Sequence, residues 1–141
     1  MIEEMKSLIK EYGEWLDDKT VFREIPGGYV EITTPFLDRH NDYIQIYVQK
    51  EGDNYVLTDG GNTIQDLELS GFPLDSEKRQ NLLKMTLAGL GVEKKDQDEL
   101  VVRATWNNFP LRKDNLIQAI IVVNGLCYLA NLMTYKNKTY I

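Results

Sequence analysis

The chain has 141 residues, of which 43% are hydrophobic and 27% charged, and its formal net charge is −6. This length and composition predict one globular domain over residues 1–141 and exclude a disordered chain. The single cysteine, Cys127, excludes an internal disulfide. Polar side chains interrupt the longest apolar stretch, residues 116–133, and the N-terminus is acidic where a signal peptide is basic. We therefore expect a cytoplasmic protein that contacts no membrane.

The first predicted element is an amphipathic helix over residues 2–16. Its apolar side chains recur at steps of three and four residues, the period of one helical face: Ile2, Met5, Ile9, Tyr12 and Leu16. Leu8 and Trp15 widen this stripe. Most charged side chains fall on the other side, so the helix has one apolar face and one wet face.

Strands are predicted next. Residues 20–25 and 29–34 are rich in strand formers, and Pro35 ends the second strand or moves it to a sheet edge. The clearest hairpin spans residues 42–58, with Gly52-Asp53 as a two-residue primed turn. That turn predicts four cross-strand pairs: Glu51 with Asn54, Lys50 with Tyr55, Val48 with Leu57, and Ile46 with Asp59.

One face of this predicted sheet carries tyrosines. The residues that share it are Tyr29, Glu31, Tyr43 and Tyr47. A tyrosine-bearing face is a reasonable protein-contact surface, because the ring gives a large contact area and a polar tip. The alternative is that the N-terminal helix covers this face, and both interpretations stay open.

Helices predominate in the second half. Residues 63–70 are predicted to form a short helix that Asn62 caps, with Gln65 completing a capping box. A second helix follows a Ser76 cap, and a charged loop, a strand over residues 100–105 and a turn come next. The last helix starts at Lys113 or Asp114 and runs to about Thr134, packed on both sides, although its β-branched run also allows a strand.

This order of elements predicts an α+β fold. Runs of strands followed by runs of helices favour an antiparallel sheet with helices on one face. We expect about four strands, with an N-terminal helix, two middle helices and a long C-terminal helix packed on them.

The densest polar cluster is Asp38-Arg39-His40-Asn41-Asp42, and a second acidic turn, Asp59-Gly60-Gly61-Asn62, ends the next strand. The hairpin register places both clusters near one edge of the sheet. If the first segment is extended, Asp38, His40 and Asp42 point the same way and could ligate a divalent metal with Asp59. The competing interpretation is structural, since Asp and Asn side chains bond the backbone of their own turns.

Catalytic signatures are scarce in this sequence. A restriction-type nuclease needs an acid-x-Lys triplet, and the candidate triplet Val48-Gln49-Lys50 has valine at the acidic position. There is no phosphate-binding glycine loop and no serine nucleophile elbow. We therefore expect no catalytic residue and no cofactor.

Three segments carry a resemblance to a known family: PFLDRHNDYI at residues 35–44, YVLTDGG at residues 55–61, and Ile64-x-x-Leu67-x-x-x-Gly71. With these motifs the chain resembles domain of unknown function 1828, an uncharacterised family of bacteria, phages and prophages, over about residues 20–123. The family has no established activity. The resemblance implies a mobile-element context, in which many small accessory proteins bind and inhibit host defence nucleases.

The charge distribution suggests the kind of partner. Residues 1–100 carry 21 acids and 11 bases, whereas residues 101–141 carry 1 acid and 5 bases. A net-acidic chain is poorly suited to bind nucleic acid directly, but it attracts basic proteins. The bland alternative is that the charge only keeps a small protein soluble.

Our leading hypothesis is a non-enzymatic binding protein that inhibits a host defence protein, as anti-CRISPR or anti-restriction proteins do. Its carboxylates would meet the basic nucleic-acid channel of the partner. The candidate contact residues are Glu3, Glu4, Glu11, Glu14, Asp17, Asp18, Asp96, Asp98 and Glu99, with Tyr43 and Tyr47 as anchors.

Two alternatives stay open. The first is a metal-dependent hydrolase that uses Asp38, His40, Asp42 and Asp59. The second is a small homodimeric accessory or antitoxin-like domain.

Overall fold

The computed structural model describes the backbone of residues 1–139 and the side chains of residues 1–129. Over the described residues the elements follow one another in this order: α1 (Ile2–Lys19), β1 (Val21–Ile25), β2 (Tyr29–Leu37), β3 (Tyr43–Glu51), β4 (Asn54–Thr58), α2 (Asn62–Leu69), α3 (Glu77–Gly89), β5 (Glu93–Lys94), a single 3₁₀ turn (Asp96–Asp98), β6 (Leu100–Ala104) and α4 (Phe109–Thr139). The predicted α+β class is confirmed.

The strands form one antiparallel sheet in the order β1-β2-β3-β4-β6-β5. Most of the predicted hairpin register is confirmed, with the turn at residues 52–53 and with Val48 opposite Leu57. The predicted pair of Ile46 with Asp59 is wrong, because the strand pairing ends one residue earlier. The backbone N–H of Asp59 donates instead to the carbonyl of Leu100 on β6, at 3.2 Å.

Two features of the strands differ from the prediction. Strand β2 continues through Pro35, with an irregular register between Thr33 and Leu37. A proline lacks the N–H that a regular ladder uses, and such an irregularity accommodates it. The predicted charged loop contains β5, whose two residues are too few to show a hydrophobic period.

The hydrophobic core lies between one face of the sheet and helices α2, α3 and α4. Side chains from the sheet interlock with side chains from the helices: Ile32, Ile46, Leu57 and Val102 with Ile64, Leu67, Leu116 and Val123. No helix of the described residues has the length and apolar content that a membrane crossing requires.

Helix α4 starts four residues before the predicted Lys113, at Phe109, with Pro110 in its first turn. A proline is tolerated there because the N–H groups of the first turn have no helical partner. The helix buries one side, which includes Leu116 and Val123, and it leaves Ile121 and Val122 exposed. The expected packing on both sides is therefore wrong for the described residues, and the strand alternative is excluded.

Helix α1 is confirmed and extends beyond the prediction to Lys19. None of its residues is buried. The predicted apolar stripe exists, but its side chains face solvent: Met5, Leu8, Ile9, Tyr12 and Trp15 are all at least 43% exposed. Helix α1 is thus an exposed amphipathic helix next to the sheet edge formed by β1.

Candidate functional site

A cleft of about 540 Å³ opens where β3 begins, β4 ends and α2 begins. The two polar clusters singled out in the sequence meet here, as the hairpin register predicts. The acidic, imidazole, amide and phenol side chains in its lining are those of Asp38, His40, Asp42, Tyr43, Gln45, Tyr47, Asp59, Asn62, Asp66 and Asn124. More polar side chains line this cleft than line the cavity of about 730 Å³ between α3 and β5.

The carboxylate of Asp59 joins three backbone segments at the base of the cleft. Its Oδ1 accepts the N–H of Gly61 at 2.8 Å and the N–H of Leu100 at 2.9 Å. Its Oδ2 accepts the N–H of Thr63 at 3.0 Å. Asp59 is only 2% exposed, so these donors replace the water that a buried carboxylate loses. The structure therefore favours the interpretation of Asp59 as part of a hydrogen-bonded turn over its interpretation as a metal ligand.

This arrangement corrects the predicted helix cap of α2. The N-cap is Gly61, in the left-handed conformation (φ 85°), and no capping box forms. Asn62 instead donates its side-chain amide to the carbonyl of Asp59 at 3.3 Å. Because Asp59 already accepts the first free N–H groups of the helix, the side chain of Asn62 is not needed for capping.

The segment at residues 38–42 is a closed turn, so the predicted extended arrangement is wrong. The Oδ1 of Asp38 accepts the N–H of His40 at 2.8 Å and the N–H of Asp42 at 3.0 Å. Asn41 takes a positive φ of 62°, which asparagine tolerates better than most residues. The turn directs Asp38 towards its own backbone rather than towards a shared ligand position.

The side chains of Arg39 and His40 attach this turn to α2. The Nε of Arg39 donates to Oδ2 of Asp66 at 2.9 Å, and a terminal nitrogen of Arg39 donates to the hydroxyl of Ser70. The Nε2 of His40 lies 2.8 Å from Oδ1 of Asp66. Asp66 therefore binds a guanidinium and an imidazole with its two oxygens.

The electrostatics of the group formed by Arg39, His40 and Asp66 favour the ionised form of the Asp66 carboxylate. Burial opposes ionisation of Asp66, but the hydrogen bonds from His40 and Arg39 outweigh burial and lower the pKa of the carboxyl below 3.8. The hydrogen bond to Asp66 in turn raises the pKa of Arg39 above its ordinary value. Burial also raises the pKa of Tyr47, whose ring lies beside Glu31 and Gly60.

The cleft does not assemble its acidic groups around one point. Among the described residues no three His, Cys, Asp or Glu side chains are placed to hold a metal ion. The carboxylates of Asp38, Asp59 and Asp66 are each occupied by donors from the protein. Asp42 and His40 remain exposed at the rim, where they could contact a ligand that enters from solvent.

A family model with the description "Domain of unknown function DUF1828" matches residues 34–123. The chain belongs to this family. No curated protein and no solved structure matches the chain. The match to the DUF1828 family confirms the resemblance given by the three motifs, but it starts at residue 34 rather than at about residue 20. The whole polar cleft lies within the DUF1828 match except for Thr33 and Asn124, whereas α1 and β1 lie before it.

The acidic contact residues predicted for this DUF1828 protein fall in two places. Glu3, Glu4, Glu11, Glu14, Asp17 and Asp18 are exposed on α1. Asp96, Asp98 and Glu99 lie at the 3₁₀ turn before β6, where Asp98 pairs with Lys94 at 3.5 Å and is partly buried. The two groups belong to different elements, and α1 carries the larger one.

The predicted tyrosine anchors also differ in exposure. Tyr43 is 61% exposed at the mouth of the cleft. Tyr47 is only partly exposed, because its ring packs over Gly60. Tyr43 is therefore the better placed of the two to contact a partner.

Sequence reasoning missed Asp66 and Ser70, the two residues of α2 to which Arg39 donates. Asp66 and Ser70 are four residues apart, so they project from the same side of the helix. This spacing is visible in the sequence, but nothing in it shows that Arg39 reaches across 27 residues to Asp66.

Proposed function

We propose that this DUF1828 protein is a non-enzymatic binding protein of a phage or mobile element, and that it inhibits a basic, nucleic-acid-binding host defence protein. The observation that carries the proposal is the acidic face of α1. Glu11, Glu14, Asp17 and Asp18 are all exposed, and among the described side chains they form no ion pair within 4.0 Å. Such carboxylates keep their full charge available to a partner.

The spacing of these carboxylates gives α1 a continuous negative stripe. Glu4, Glu11, Glu14 and Asp18 follow one another at steps of seven, three and four residues. At about 100° per residue these steps keep them on one side of the helix, opposite the apolar stripe. A row of carboxylates on a rigid helix suits the lysine and arginine side chains that line a nucleic-acid channel.

The cleft supports a binding protein better than an enzyme. The carboxylates that a hydrolase would use to activate water are satisfied by backbone N–H groups and by Arg39. A metal-dependent hydrolase is the second candidate, favoured by the exposed His40 and Asp42 that line the same cleft.

A binding measurement tests the proposal. Proteins captured from host extract are identified, and a basic nuclease among them is purified and titrated with the wild-type chain at low and high salt. We expect the double variant Asp17→Lys/Asp18→Lys to bind about tenfold or more weakly at low salt, because it removes rim charges that steer and hold a basic partner.

The matched control is Asp53→Lys/Asp75→Lys. It changes the net charge by the same amount at two exposed positions outside α1. Equal weakening in both double variants, or in neither, contradicts the assignment of the acidic face of α1. Capture of no basic protein contradicts the proposed partner class.

A further inference from the structure

The molecule has a second, apolar surface that shares no lining residue with the polar cleft. It is a groove of about 370 Å³ on the part of the sheet that the helices leave uncovered, between β1 and the start of α4. The side chains that form its floor and walls are Phe22, Val30, Val48, Tyr55, Trp106 and Phe109. Tyr55 and Phe109 meet edge to face, with ring centroids 5.7 Å apart, so part of the wall is rigid.

The rim of this groove is unusually apolar for a surface exposed to water. Trp106 is 80% exposed and Phe22 is 63% exposed. Exposed apolar patches rimmed by aromatic residues mark interaction sites, and tryptophan is among the residues most enriched at the energetic centre of an interface. We therefore expect an apolar segment to bind in the groove.

The chain itself carries a segment of matching chemistry. Helix α1 presents an apolar stripe whose members at steps of three and four residues include Ile2, Met5, Ile9 and Tyr12. None of its residues is buried, and none of them lines the groove. An amphipathic helix laid into an apolar groove is a recurring mode of protein recognition.

The connection between α1 and β1 is short, and α1 does not line the groove of its own chain. The helix ends at Lys19 and the strand starts at Val21, so Thr20 alone joins them. Thr20 is tied to the helix, since its Oγ donates to the carbonyl of Leu16 at 2.6 Å. A helix that packs back on the sheet that follows it needs a loop of about two to five residues.

The charges near the two surfaces are complementary. Helix α1 carries six carboxylates and three lysines. The start of α4, which forms one end of the groove, carries Arg112, Lys113 and Asp114 and has a net charge of +1. The guanidinium of Arg112 also donates to the carbonyls of Arg103 and Gly91. The opposite net charges favour the encounter of two chains at long range, whereas the apolar contacts hold the docked helix.

We propose that α1 of one copy docks its apolar stripe into the groove beside Trp106 of a second copy, and that the exchange is reciprocal. A two-fold axis then makes the interface isologous and closes the assembly at two chains. The acidic stripe of α1 stays on the outer side, because it lies opposite the apolar stripe. The inference does not depend on the proposed host partner, and its test uses this chain alone.

Sedimentation of single variants tests each half of the contact. Ile9→Asp removes the donor helix face, and Trp106→Asp removes the acceptor groove. Both positions are at least 70% exposed, so the fold is retained, which circular dichroism checks. Leu69→Asp, at an 88% exposed position of α2, is the matched control. We expect wild type and Leu69→Asp to be dimers, and each of the other two variants to lose dimerisation by at least tenfold.

Mixing the two defective variants separates reciprocal exchange from other dimers. An equimolar mixture still holds one intact helix and one intact groove, so association returns, although more weakly than in wild type. A monomeric wild type, a fully dimeric Trp106→Asp variant or a mixture that does not associate would overturn the proposal. If Ile9→Asp is monomeric while Trp106→Asp is dimeric, direct pairing of two α1 helices is indicated instead.

Fluorescence gives an independent measurement. Trp15 and Trp106 are the two tryptophans of the chain. In the Trp15→Phe variant the remaining emission comes from Trp106, and it shifts to shorter wavelength as rising concentration buries that ring. An emission maximum that stays constant while the protein dimerises places Trp106 outside the interface and overturns the proposal.

Discussion

The Nε atom of Arg39 donates to Oδ2 of Asp66 at 2.9 Å and thereby fastens the turn at residues 38–42 to α2. The contact spans 27 residues, and the side chain of Arg39 is only 17% exposed. His40 binds the second oxygen of the same carboxylate. One side chain of α2 therefore sets the position of the turn that forms one wall of the polar cleft.

Replacing Asp66 by asparagine should destabilise the fold. The amide keeps the shape but loses the charge that Arg39 and His40 bind, so we expect a loss of about 1–2 kcal/mol in the free energy of unfolding. Urea unfolding followed by circular dichroism measures it. Glu68→Gln, at an exposed position of the same helix, is the control and should leave stability almost unchanged. Equal effects of the two variants contradict the structural role of Asp66.

The same carboxylate predicts a dependence of stability on pH. The pKa of Asp66 in the folded state lies below 3.8, so the folded state binds this proton less tightly than the unfolded state does. Its stabilisation is therefore complete above the unfolded pKa and is lost as the pH falls through the folded pKa. Thermal unfolding from pH 6 down to pH 2 should show a smaller decline in Asp66→Asn than in wild type. Parallel declines would contradict this assignment.

Asp59 is expected to be essential for stability. Asp59→Ala leaves three buried N–H groups without an acceptor, which should cost about 3 kcal/mol or more. Asp59→Asn keeps one acceptor oxygen and should be less harmful. Asp53→Ala, in the exposed hairpin turn, is the control. An Asp59→Ala protein with wild-type unfolding that has lost a hydrolytic activity would favour the hydrolase instead.

Two glycines should respond in opposite directions to alanine. Gly61 has φ 85°, and a Cβ there would lie 3.0 Å from the carbonyl oxygen of Gln97. We expect Gly61→Ala to destabilise the fold by about 1–2 kcal/mol or more. Gly13 lies within α1 with open space around it, so Gly13→Ala should stabilise that helix by about 1 kcal/mol. Thermal unfolding and helix content measure both effects.

Divalent metal ions test the hydrolase alternative. A binding protein without a metal site should show no change in melting temperature when Mg²⁺ or Mn²⁺ is added, since only a ligand of the folded state raises it. A rise that Asp42→Asn or His40→Ala abolishes would show that these exposed residues bind the ion. The side chain of Asp42 is exposed, so Asp42→Asn should fold normally, whereas His40→Ala also removes the contact with Asp66 and is compared with its own metal-free melting temperature.

The local pattern of the sequence predicts the hairpin well. Gly52-Asp53 and the alternation around Val48 and Leu57 fix the pairing, because turn geometry and strand period act over a few residues. The same holds for the Ser76 cap, whose hydroxyl accepts the N–H of Arg79. These features depend on neighbours that are close along the chain.

Long-range contacts could not be predicted in this way. The N–H of Leu100 donates to Asp59, and Arg39 donates to Asp66. Both hydrogen bonds depend on how β6 and α2 pack, which the periodicity of the sequence does not reveal. The apolar stripe of α1 was predicted correctly, but its exposure was not, since an amphipathic pattern is the same whether the face meets its own core or another molecule.

The three N–H groups that share the carboxylate of Asp59 belong to Gly61 and Thr63 at the start of α2 and to Leu100 at the start of β6. Opening any one of these hydrogen bonds weakens the environment of the other two. Their amide hydrogens should consequently exchange with deuterium together, at a rate set by a single cooperative opening rather than by three local ones. The end of β4, the start of α2 and the start of β6 thus form one unit of local unfolding.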